Sequence, residues 1–160
     1  MRYSEGDPHE IKEMFWKAMV DSPFVMLQVD ADPHSAAPMT AQLDKDANHA
    51  IWFFARRESH LAQLGPASAT FASKGHDVFA RFAGTLVHET SSETLDRHWD
   101  NHVKAWFPGG KTDPDMLFLR MDLGQAAIWS GDLSLLATAK MALGADVRDE
   151  VAGKYAATAL

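Results

Sequence analysis

Ala50-Ile51-Trp52-Phe53-Phe54-Ala55-Arg56-Arg57-Glu58-Ser59 is an apolar, aromatic run that ends in two arginines and then in a helix-start residue. The aromatic and β-branched half reads as a buried strand, and the charges mark the point where it meets solvent. Ser59 is a capping residue type, so the N–H groups of a short helix stand close to the two arginines. An apolar slot beside an anion site suits a flat heterocycle that carries a phosphate. Strand alternation puts Phe53 opposite to Trp52 and Phe54, so one set packs inward while the other meets a partner surface.

The flanking sequence supplies the other strands. Asp7-Pro8-His9-Glu10 starts an amphipathic helix with Ile11, Met14, Phe15, Ala18 and Met19 on one face, ending near Asp21-Ser22-Pro23. Strands are predicted at Phe24 to Val29, Ala36 to Leu43 and Ala50 to Phe54, separated by the turn-rich Asp30 to His34 and Asp44 to Asn48. Three strands in meander order point to an antiparallel sheet. Glu58 to Leu64 reads as a short helix stopped by Gly65-Pro66, followed by strands Ala67 to Ser73 and Val78 to Glu89. Gly84 inside the latter marks a bulge that bends a sheet toward barrel closure.

Thr90-Ser91-Ser92-Glu93 is a second capping pattern, opening one helix with Leu95, Trp99, Val103 and Trp106 on a shared face. After Phe107-Pro108-Gly109-Gly110, a sixth strand runs over Met116 to Met121 and Ala126 to Trp129, with an irregularity at Asp122-Leu123-Gly124. Asp132 caps a final helix carrying Leu135, Leu136, Ala139 and Leu143, ended by Gly144. The reading is one domain over residues 1–144, with an Ala-rich tail, 145–160, whose order is left open. Six strands without regular β-α-β alternation give a mainly β fold with helices, a small antiparallel barrel flanked by helices.

Composition narrows the chemistry. The 160 residues hold 15 Lys plus Arg against 22 Asp plus Glu, a net charge of −7 that provides no broad field for a polyanion. Nucleic acid is therefore not an expected partner. The absence of cysteine excludes disulfides, thiolate nucleophiles and Cys-ligated metals. No window approaches the roughly 20 apolar residues of a membrane span, so a soluble, cytoplasmic chain is expected.

Motifs for autonomous catalysis are missing. His98 and His102 stand four apart, but the Glu of a His-Glu-x-x-His metal motif is replaced, so they read as a surface pair and no metal is expected. Gly-x-Ser-x-Gly, Gly-x-Gly-x-x-Gly and Walker A patterns do not occur. Chemistry, if any, has to come from a bound cofactor, and no side chain is assigned as catalytic.

Ala37-Pro38-Met39, Ile51-Trp52-Phe53-Phe54-Ala55, Ser59 and Trp106-Phe107-Pro108-Gly109-Gly110…Asp113-Pro114 occur in one order and spacing. Over about residues 10–143 this resembles the pyridoxamine 5'-phosphate oxidase-like, FMN-binding split-barrel superfamily, most closely its general stress protein 26-type branch. The resemblance implies a six-stranded antiparallel split β-barrel flanked by helices, and a homodimer with FMN in a cleft at the interface. It places the cofactor on Met39 and Thr40, on Phe53, Phe54, Ala55 and Arg56, at Ser59, and against Trp106. The family's usual phosphate-binding Arg and Lys positions are Ala37 and Leu61 here. Each such charge-assisted contact is worth roughly 1.5–3 kcal/mol. Arg56, Arg57, His60 and the short helix's amides are the nearest replacements, with Lys74 further away. Two functions follow: a low-specificity FMN-dependent oxidoreductase, or a non-catalytic, stress-related ligand- or partner-binding barrel with weakened or lost FMN binding. Haem or F420 binding is a third, weaker implication. Oxidation of pyridoxamine phosphate itself is not expected, because basic residues for a second phosphate are not found.

Overall fold

The chain starts as its capping residues dictate. The Asp7 carboxylate accepts a hydrogen bond from the His9 N–H and Pro8 occupies the first turn of helix α1 (Pro8–Asp21), which buries Ile11, Phe15 and Met19. Phe15 meets Phe71 and Phe82 edge-on, with ring centroids 5.8 and 5.7 Å apart. Burial of each such ring contributes about 1.5–3 kcal/mol, which fixes α1 against the barrel. The computed structural model describes residues 2–131, 142–144 and 152–160.

The strands are β1 (Arg2–Glu5), β2 (Phe24–Val29), β3 (Asp32–Thr40), β4 (Ala50–Arg56), β5 (Gly65–Ala72), β6 (Val78–His88), β7 (Met116–Gly131) and β8 (Ala152–Ala159). Their hydrogen-bonded order is β1-β8-β7-β6-β5-β2-β3, with β4 on β7. All pairs are antiparallel except β1 with β8. This is the split-barrel architecture expected, with eight strands among the described residues rather than six. The two added strands are the chain's ends, too short or too Ala-rich to carry a strand signal of their own. They lie outside the six-stranded ring β4-β7-β6-β5-β2-β3.

The long strand β7 accounts for the split. One edge of it pairs with β6 throughout. On the other edge, Met116 to Asp122 pair with β4, and Gln125 to Gly131 pair with β8. What the sequence suggests as two segments is one strand that changes partner at Leu123-Gly124. The bulge expected at Gly84 is present as a register shift between Phe82 and Gly84 opposite this handover. A Cβ at Gly84 would run into the backbone carbonyl of Asp122, so only glycine fits this crossing.

Other expectations are corrected. The meander stops after two strands: β4 joins β7, and only one isolated bridge, Gln42 with Trp52, links it to the β3 side. The helix expected over Glu58 to Leu64 is a 3-10 turn, His60–Gln63. The helix expected to reach Trp106 is two, α2 (Ser92–His98) and α3 (Asn101–Trp106). Asp100 interrupts it by capping α3, its Oδ1 accepting from the Val103 N–H at 2.8 Å. The helix predicted after Asp132 lies outside the described residues except for its last positions. Among the described residues, no helix is long and apolar enough to cross a membrane.

Candidate functional site

The ring of strands is closed by two backbone hydrogen bonds. The Gln42 N–H donates to the Trp52 carbonyl at 2.8 Å, and the Trp52 N–H donates to the Gln42 carbonyl at 3.0 Å. Past this bridge β3 and β4 make no further pairing, and a seam opens between them. Ladder alternation decides what faces the seam. Trp52 directs its backbone groups away from β7, so Phe54, two residues on, presents its N–H and C=O to the seam. Across it, the Ala41 N–H points to β2 by bonding the Pro23 carbonyl, so Thr40 and Pro38 point into the seam. Pro38 has no N–H to leave unpaired, which suits this open edge. Both unpaired edges are thus available to a ligand with its own donors and acceptors.

Side chains around the seam are mostly apolar. Phe53 is fully buried and Ala55 nearly so, both facing the barrel core, and Met39 packs partly against the same core. Trp52 and Phe54 face outward, where they are covered by the chain's own helices rather than by the partner surface expected. Phe54 stacks on Phe118 at 4.7 Å and meets Trp99 edge-on at 6.2 Å, while Trp52 lies 4.9 Å from the His98 ring. The strand is held rigidly from both faces, and only its edge is open.

Below Trp52 lies a polar group that sequence reasoning missed. Trp52 Nε1 donates to Glu89 Oε2 at 2.9 Å, Arg120 Nη1 donates to the same oxygen at 3.1 Å, and the Ser91 N–H donates to Oε1 at 3.0 Å. Burial pushes the Glu89 carboxyl up, but the hydrogen bonds from Trp52, Ser91 and Arg120 together outweigh it and hold its pKa below the ordinary value. Burial also lowers the pKa of His98, whose Nε2 is buried without a hydrogen-bond partner. The expected surface His pair is therefore split: His98 ends α2 under cover, and His102 belongs to α3 and faces solvent beside Asp100. Glu89 lies 37 residues from Trp52, beyond the reach of any local sequence pattern.

At its other end β4 runs into charge. Arg56 Nε donates to Asp115 Oδ2 at 2.8 Å, and its Nη1 is 4.0 Å from Glu58 Oε1. The Asp115 hydrogen bond and charge raise the Arg56 pKa further. Arg57 Nε donates to the Pro114 carbonyl at 2.6 Å. Ser59 caps the 3-10 turn, its Oγ accepting from the Leu61 N–H at 3.2 Å. Leu61 is 1% exposed and part of the barrel core. His60 Nδ1 lies 3.2 Å from Asp32 Oδ2 at the start of β3. Lys74 lines a separate groove beside Met14 and Lys17 of α1.

The structure thus gathers Met39, Thr40, Phe53, Phe54 and Ala55 along the seam and sets Arg56 and Ser59 at its charged end. Trp106 stands on another element, at the end of α3, 79% exposed. Tested against FMN, the two ends differ. Free backbone edges between apolar walls fit the flat ring, with its rim of donors and acceptors. The tail end fits a phosphate poorly, because Arg56 and His60 already face carboxylates and the Arg57 Nε is held by the Pro114 carbonyl.

Comparison with known proteins gives the chain a family and a set of related folds. A family model described as pyridoxamine 5'-phosphate oxidase like matches residues 10–151. The general stress FMN/FAD binding protein of Xanthomonas citri is 42% identical, with a TM-score of 0.72, over 81% of this chain and 94% of that one. A general stress family protein of Xanthomonas campestris is 40% identical, with a TM-score of 0.69, over 81% of this chain and 95% of that one. A protein assigned as general stress protein 26 from a Jannaschia species is 27% identical, with a TM-score of 0.80, over 96% of this chain and 100% of that one. No curated protein matches significantly.

Proposed function

The chain belongs to the pyridoxamine 5'-phosphate oxidase-like family, and from that premise we propose that it is a flavin-binding protein of the general stress kind, its isoalloxazine seat the seam between β3 and β4. The observation that carries this is the pair of unpaired edges at Thr40 and Phe54, held open beyond the Gln42–Trp52 bridge. A related chain at 42% identity is described as an FMN/FAD binding protein, which supports the same ligand class.

A second copy of the chain completes the seat. The outer face of the sheet beside β3 carries Phe24, Met26 and Phe79, between 40 and 62% exposed, with Pro38, Thr40 and Ala72 as cross-strand neighbours. A flat apolar face of this kind, next to an open seam, suits a dimer interface of about 800 Å² per partner. Trp106 is then free to reach the flavin of the neighbouring copy.

When bound, the flavin supplies the redox chemistry. The Phe54 and Thr40 backbone groups orient the ring, the apolar walls exclude water, and Phe118 and Trp99 keep β4 from shifting. None of the seam side chains from Met39 and Thr40 to Phe53, Phe54 and Ala55 titrates, so an oxidoreductase built here relies on its flavin and its substrate for proton transfer. The other reading, a non-catalytic ligand- or partner-binding barrel with weakened or lost FMN binding, is favoured by Ala37 and Leu61 at the usual cation positions and by the engagement of Arg56 and His60 with carboxylates.

Titration of the purified chain with flavin separates these readings. Quenching of flavin fluorescence with a Kd of about 10 μM or tighter, near −7 kcal/mol, is the expected result. Unquenched flavin at ten times that concentration contradicts flavin binding. Light scattering is expected to give twice the chain mass, and a monomer at the same concentration contradicts the shared seat.

A further inference from the structure

We infer that the tail end of the seat is built for an uncharged ligand terminus, so that the chain binds riboflavin, the unphosphorylated flavin, about as well as FMN. This rests on the flavin reading above and adds the ligand's charge to it. The residues that settle it lie between the end of β4, the 3-10 turn and the start of β3.

A phosphate brings up to two negative charges, and at this end only Arg57 lacks a carboxylate partner. Arg56 is bound to Asp115 and flanked by Glu58, Arg57 is bound to the Pro114 carbonyl, and His60 is bound to Asp32. Two arginines thus share this end with three carboxylates, Glu58, Asp115 and Asp32. A carboxylate about 4–6 Å from an incoming phosphate repels it about as strongly as an arginine at the same distance attracts it.

The Leu61 side chain and two N–H groups of the 3-10 turn are also spent or misdirected. Leu61 sends its side chain into the core, so the position cannot offer a charge at the surface. The Leu61 N–H is taken by Ser59 Oγ and the Ala62 N–H by the Ser59 carbonyl. A four-residue 3-10 turn adds little dipole beyond those bonds. The same end offers carboxylate and carbonyl oxygens in number, and these suit the hydroxyl groups of a ribityl chain.

The ion pairs are exposed, so they are weak and can be unmade without unfolding the barrel. That makes the inference testable by charge removal. Asp32→Asn and Asp115→Asn each keep an oxygen in place while deleting a negative charge; in Asp32 the retained oxygen is the acceptor for the His34 N–H.

The experiment is a fluorescence-quenching titration of the full chain with riboflavin and with FMN, at about 50 mM and about 500 mM salt, where screening lengths differ several-fold. Expected are dissociation constants within about threefold of each other and no loss of FMN affinity at high salt, since no net cationic site is there to be screened. In the Asp32→Asn/Asp115→Asn double variant the ratio is expected to move toward FMN by about tenfold, with riboflavin unchanged. FMN preferred by about thirtyfold or more in the unaltered chain, falling with salt, overturns the inference and leaves the flavin reading standing. Failure of both flavins to bind overturns the two together.

Discussion

The two ends of β4 are built on opposite principles. The Trp52 end is covered and, apart from the His98 Nε2, matched: the Gln42 bridge closes the backbone, and Glu89 joins Trp52, Ser91 and Arg120 beneath it. At the Arg56 end the strand enters solvent among ion pairs that are more than half exposed on the arginine side. The first end fixes where the seam begins. The second leaves its ion pairs in solvent, and the proposed ligand seat lies between the two.

Removing one member at each end exposes this contrast. Glu89→Ala strips a buried charge from Trp52 and Arg120 and leaves the indole N–H unsatisfied, so a loss of about 2–4 kcal/mol in denaturant unfolding is expected. A loss too small to measure contradicts the role given to the closed end. Gly84→Ala, opposite the point where β7 changes partner, is expected to cost about 1–3 kcal/mol, because the Asp122 carbonyl has to move. An unchanged unfolding midpoint means that the bulge is slack.

Acid titration is a finer probe of the same end. His98 is held neutral by burial, so its folded pKa lies below the ordinary 6.5. Between those values the unfolded chain binds the extra proton, and stability falls as pH drops below about 6.5. Glu89 acts lower down: its folded pKa is below the ordinary 4.5, so its contribution is complete above that value and lost as pH falls through the folded one. His98→Gln should remove the upper step only, and persistence of that step assigns it to another group. Smallest of all, Arg56→Ala is expected to leave the melting temperature within experimental scatter, as for exposed ion pairs generally.

Much of this fold is legible in the sequence, and the residues say why. The Asp7-Pro8 cap, the Gly84 bulge and the alternation around Phe53 each rest on local backbone or burial physics, and each is found where that physics puts it. The partner of β4 is not legible, because strand order is set by contacts distant in sequence: β4 aligns Phe53 with Leu119 of β7 instead of continuing the meander. The same holds for the site. Ala37 and Leu61 mark the missing cations in the sequence itself, whereas the capture of Arg56 by Asp115 spans 59 residues and needs the fold. His98 and His102 look equivalent at spacing four, until Asp100 breaks the helix and sends them to different surroundings.

The central claim is that the edges of β3 and β4, rather than the grooves beside α1, form the ligand seat. Amide hydrogen exchange followed by NMR, with and without saturating riboflavin, tests it residue by residue. The Thr40 and Phe54 amides face an unpaired edge and should exchange fast in the free chain, then slow by about tenfold or more when the ring docks. Contradiction comes from unchanged exchange at these two amides while protection appears around Trp16, Leu43 and Lys45, which line a groove of about 620 Å³ against α1.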